Sequence, residues 1–190
     1  GLSDTATRWI CATEGGGVLI NCGQFAGTTG GLVSVMGGIG TGNSGAGGGG
    51  RIAIYYNNAS PWPGVRLTAS PGAAGYLASH PYRADQGTVF LPDLSAITPV
   101  MDANRFKDVD LYIGSATSCV LDSLSVSNCS FRFAQDGFTL TVSNTLLIAT
   151  NGRVGTWNLY CGSVALTNAG IGISLGDDCV YACNGFPKRN

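Results

Sequence analysis

The sequence is short of charge. Of its 190 residues only 11% are Asp, Glu, Lys or Arg, well below the roughly 25% usual for soluble domains. Lysine occurs only at Lys107 and Lys188, and Glu14 is the one glutamate. With a net charge of -1 and no basic cluster, the chain lacks the electrostatic footprint of a nucleic-acid binder or an anionic-membrane binder. Neither partner is expected. No apolar run reaches the length of a membrane span. The opening residues GLSDTATRW lack the charged and apolar regions of a secretion signal, which reads as a mature product or an excised piece.

Metal-site chemistry is equally thin. The chain has one histidine, His80, and its seven cysteines contain no C-x-x-C pair, so neither a zinc site nor any other metal or cofactor is expected. His80 sits in a loop-like SHPY with no Ser/Asp arrangement around it, which argues against a catalytic triad. Oxidised cysteines in an extracellular or cell-surface compartment fit better. The candidates are Cys11, Cys22, Cys119, Cys129, Cys161, Cys179 and Cys183. Their spacings suggest Cys11 with Cys22, Cys119 with Cys129, and Cys179 with Cys183 or Cys161. One thiol is left over, either free and buried or bridging two subunits. Asn58-Ala-Ser and Asn128-Cys-Ser are candidate glycosylation sequons.

Helical periodicity is nearly absent. What is present is a series of short alternating runs, among them GVLINC, RIAIYY, TVFLP, VDLYIG, SFRF, FTLTVSN and SVALTN, each bounded by Gly, Asn, Asp or Pro. That is the signature of strands joined by tight turns. The chain reads as all-β and as a single domain over 1–190. Residues 1–108 form irregular, Gly- and Pro-rich passes with long loops, and residues 109–190 form more regular ones. The runs SVSN, TVSN and ALTN end in Asn128, Asn144 and Asn168. Self-similarity of this kind points to stacked coils of a parallel β-helix, a solenoid with Gly-rich turns and long loops. An asparagine at the equivalent turn of each coil would adopt a left-handed conformation and hydrogen-bond along the stack.

The glycine run GNSGAGGGG, residues 42–50, lies directly before RIAIYY. Gly40 to Gly45 satisfies G-x-G-x-x-G, yet that fingerprint must open a helix whose N-terminus meets a pyrophosphate. Here it leads into β-branched and aromatic alternation. The glycines are therefore expected to serve the architecture, letting backbone pack on backbone before the strand begins.

Three segments, GAGGGGRIAIYY (Gly45 to Tyr56), ADQGTVFLP (Ala84 to Pro92) and the stretch from Leu121 to Val154, together resemble the Gly-rich right-handed parallel β-helix repeats of large secreted or surface proteins of environmental bacteria. The resemblance implies a right-handed β-helix and an address outside the cell. Its motifs are architectural and imply no activity.

The strongest enzymatic lead is GDDCV, residues 176–180. Its paired Asp177 and Asp178 are similar to a catalytic motif of polygalacturonases, in which one carboxylic acid protonates the leaving oxygen and a carboxylate activates water. The rest of that family's pattern is missing: TNAGIGI has alanine where an aspartate belongs, and no histidine follows. A turn pinned by Cys179 and Cys183 is the simpler reading. Asp108 and Asp110 would share one strand face, and Trp9, Trp62 and Trp157 are candidates for stacking on sugars. The leading expectation is an extracellular structural subunit, not an enzyme, that assembles with copies of itself into a filament. A polysaccharide-active β-helix enzyme and a non-catalytic glycan-binding or adhesion module are the alternatives.

Overall fold

The computed structural model describes residues 15–28, 30–41, 45–59, 61–74, 84–167, 172–175 and 181–183. Those residues are strands and their connections. In chain order they are β1 (Gly17–Gln24), β2 (Leu32–Ser34), β3 (Arg51–Asn58), β4 (Arg66–Thr68), β5 (Gly87–Leu91), β6 (Val100–Met101), β7 (Phe106–Lys107) and β8 (Val109–Ile113). The series continues with β9 (Ser118–Leu121), β10 (Leu124–Val126), β11 (Ser130–Phe133), β12 (Thr139–Ile148), β13 (Arg153–Thr156), β14 (Asn158–Leu166), β15 (Gly172–Leu175) and β16 (Tyr181–Cys183). One 3-10 turn, Leu94–Ala96, interrupts them and is capped by the Asp93 carboxylate, which accepts from the Ser95 amide.

The fold is all-β, and every strand pairing is parallel. The long sheet has seven strands in the order β1-β3-β5-β8-β11-β13-β15, which is also their order in the chain. A second sheet runs β16-β14-β12-β10-β6, with β9 paired to β12, and a third runs β2-β4-β7. Between successive strands of the long sheet the chain leaves, visits another sheet or a loop, and returns beside the strand it left. Parallel neighbours require such crossovers.

Alternation decides which side chains go inside. In RIAIYY, Ile52, Ile54 and Tyr56 are buried while Arg51 and Tyr55 face out. Register then builds columns: Ile52 lies beside Val89, Val89 beside Leu111, and Leu111 beside Phe133, all of them buried. Each such side chain contributes about 1.5–3 kcal/mol on leaving water. Aromatic rings fill the wider part of the interior, with Phe133 stacked on Phe138 at 4.3 Å and edge-on to Phe131 at 5.6 Å.

The glycine run leads straight into β3 without an intervening helix. Its residues pack backbone against backbone: Gly47 donates to Gly38 O and accepts from Gly72 N, both at 2.9 Å. A Cβ on Gly50 would run into the Gly16 carbonyl oxygen and lie 2.7 Å from the Gly15 carbonyl carbon, and a Cβ on Gly87 would meet Gly50 and Gly49 in the same way. Gly50 and Gly87 stand one above the other at the entrance to the long sheet, where only hydrogen fits.

The separation between stacked residues is 34 for Cys22 and Tyr56 and 39 for Thr68 and Lys107, then 22 for Asp110 and Arg132 and 23 for Asn128 and Asn151.

Two expectations are corrected. Asn128 is left-handed, with φ 46, but its equivalents are Asn104 and Asn151, with φ 56 and 55, and not Asn144. Asn144 lies inside β12, at its register shift, where its side chain donates to Asp122 Oδ1 at 2.7 Å. Asn168 lies outside the described residues. The cysteine pairing also changes, because Cys22, Cys119 and Cys129 are free thiols. Cys119 belongs to β9 of the second sheet, beside Leu140, whereas the Cys129 sulfur accepts from the Phe106 amide at 3.4 Å. Ten residues apart in sequence, they sit on different walls. Cys161 is disulfide-bonded, with a partner outside the described side chains, and Cys183 is its backbone register neighbour.

Candidate functional site

Several of the singled-out residues fall outside the described part of the chain: Trp9, Cys11, His80, Asp177, Asp178 and Cys179. For Cys183 the backbone alone is described. Asn58 and Asn128 are both exposed, at the end of β3 and at a turn. Trp62 packs against Phe25 and Tyr56, at 5.4 and 6.1 Å, and its indole nitrogen is buried without a partner. Trp157 packs against the core. Both tryptophans are engaged in packing.

Asp108 and Asp110 do not act together. Asp108 is a left-handed residue, φ 49, between β7 and β8, and its carboxylate accepts from Ser70 Oγ at 2.9 Å. Asp110 lies two residues further on, within β8. It is nearly buried, and Arg132 grips it with both nitrogens, Nε at 2.9 Å and a terminal nitrogen at 2.5 Å, while Gln86 donates to the same carboxylate. The Asp110 carboxylate pushes the Arg132 pKa up, against the opposing effect of burial. The carboxylate is thereby committed to its two neighbours, which leaves it poorly placed to act as a free base.

The long sheet's outer face is the most functionally suggestive surface. Reading across the strands, one row carries Arg51, Thr88, Asp110 and Arg132 in register. The next row, two residues along, carries Leu19, Ala53, Phe90 and Tyr112. Tyr55 leans onto Phe90 with ring centroids 5.1 Å apart. Leu19, Tyr55 and Tyr112 are exposed, at 72%, 45% and 39%. On the far side Arg153 is exposed beside Ser130, and the Arg132 side chain lies over Gly155, where a Cβ would come within 2.8 Å of its Cγ. Alternation in RIAIYY, TVFLP and VDLYIG was enough to show that one residue in two faces out; which strands are neighbours, and hence these rows, was not readable.

No group of three or more histidine, cysteine or acidic residues placed to hold a metal ion occurs among the described residues. No helix there is long and apolar enough to cross a membrane. Comparison with protein-family models, with curated proteins and with solved structures finds no match.

Proposed function

We propose that this chain is a right-handed parallel β-helix, similar to the Gly-rich repeats of secreted and surface proteins of environmental bacteria, and that it serves outside the cell as a structural subunit stacking end to end with copies of itself. Support for the coil comes from the seven parallel strands of the long sheet following one another in chain order. Right-handedness follows from the rule that parallel crossovers take that hand in about 98% of cases.

The observation that carries self-assembly is the state of β1. Its inward side chains Val18, Ile20 and Cys22 are only half-buried, whereas Ile52, Ile54 and Tyr56, one strand further on, are buried. Among the described residues β1 pairs on one side alone. A half-covered apolar row beside an open strand edge is a template for another chain, and a head-to-tail contact that does not close generates a fibre. Low charge and abundant glycine suit a durable exterior material, and Cys22, a free thiol on this end, is placed to bridge copies.

Sedimentation across a concentration range tests this with Val18→Asp. The parent chain is expected to grow into large species as concentration rises. The variant, with a charge in the inner row, is expected to stay small while keeping the parent's circular-dichroism spectrum. Equal growth of the two removes β1 as the contact, and no growth of either removes self-assembly.

A further inference from the structure

The outer face of the long sheet is unlike the rest of the surface, because it concentrates arginine in a chain that has little charge. Arg51 and Arg153 are exposed and form no ion pair among the described residues, and Arg132 is the third, tied to Asp110. Strands are spaced about 4.8 Å apart, so Arg51 and Arg153, four strands apart in the long sheet, lie roughly 19 Å from each other along the stack. Phe90 and Tyr112 stand in the neighbouring row, two residues along from that of Arg51, and Tyr55 two residues further along β3. Phe90 has the small Ala53 beside it in register and the Tyr55 ring against it.

We infer that this face binds a linear acidic polysaccharide, a polyuronate, laid across the strands. The chemistry matches at three points. A pyranose ring has an apolar face that stacks on an aromatic side chain. A carboxylate on the sugar takes a charge-assisted pair of bonds from an unpaired guanidinium, which Arg51 and Arg153 offer at either end. Sugar hydroxyls find a donor and an acceptor in the polar row at the Thr88 hydroxyl. The inference concerns the side of the stack and is independent of any contact at its ends.

Affinity electrophoresis and calorimetry with alginate oligomers test it, with neutral cello-oligomers and single-stranded DNA as comparison ligands. Alginate is expected to bind and to weaken as salt rises. Arg51→Ala is expected to weaken binding about tenfold, and Phe90→Ala about fivefold. Tyr160→Ala, on the outside of the second sheet, is expected to leave it unchanged while folding normally. Circular dichroism of each variant separates lost binding from lost folding. Equal binding of neutral oligomers, preference for DNA, a dominant effect of Tyr160→Ala, or no alginate binding by the folded parent overturns the inference.

Discussion

The Asn151 side-chain amide donates to Asn128 Oδ1 across 3.2 Å, and both residues are left-handed. Asn104 continues the column, its backbone amide donating to the Asn128 carbonyl at 2.9 Å. Asparagine tolerates this conformation better than any branched or bulky residue, and its amide then ties one turn to the next. The column repeats the same corner three times and keeps the passes of the second half in register.

That column gives the first prediction. Asn151→Ala loses both the tolerance and the ladder bond, so a loss of about 1–2 kcal/mol is expected by urea denaturation. Asn151→Gly keeps the backbone freedom and is expected to lose less. Asn144→Gly makes the opposite point: it falls within β12, where glycine weakens a strand, so no relief of backbone strain should appear.

The glycine column gives the second. Gly50→Ala forces a Cβ into the Gly15–Gly16 backbone, which has no side chain to move aside, and is expected to cost at least about 2 kcal/mol. Gly16→Ala meets nothing within 4 Å and is the matched control. Melting temperatures of the two variants check the contrast, and equal effects would remove close backbone packing as the reason for the run.

Thiol accessibility gives the third. Burial pushes the Cys129 thiol up to about 11, and burial raises Cys119 as well, so neither is a ready nucleophile near neutral pH. Cys22 is half-buried on the first strand. A maleimide reagent near pH 7.5 is expected to modify Cys22 first, and Cys119 and Cys129 only on unfolding. Peptide mapping without reductant checks this, and a Cys119–Cys129 disulfide would contradict it.

Acid sensitivity gives the fourth. Burial acts to raise the Asp93 pKa, but hydrogen bonds from the Ser95 hydroxyl, the Ser95 amide and Tyr56 outweigh it and hold the carboxyl below its ordinary 3.8. A carboxyl held down in the folded state contributes stability above its unfolded value, and that contribution is lost as pH falls through the folded one. Urea midpoints are therefore expected to fall more steeply below about pH 4 for the parent chain than for Asp93→Asn. Asparagine can still cap the 3-10 turn, which isolates the charge.

The strands were legible because alternation is local: RIAIYY alone declares which residues go in and which go out. The purpose of the glycine run was legible too, since no helix could follow it in that sequence. What was not legible depends on how many residues one pass consumes. Cys119 and Cys129 are close in the chain, yet ten residues is less than one pass and carries the second onto another wall. Asn128 and Asn144 share a local motif, but 23 residues, not 16, separates true neighbours there. The arginine and aromatic rows stayed hidden for the same reason, being assembled from residues of five strands.

Electron microscopy of the non-reduced chain over a concentration range tests the central claim most directly. The account expects unbranched filaments that appear as concentration rises, with an axial repeat of at least about 33 Å, the height of the seven-stranded stack at about 4.8 Å per strand. Discrete particles of constant size at every concentration would contradict it.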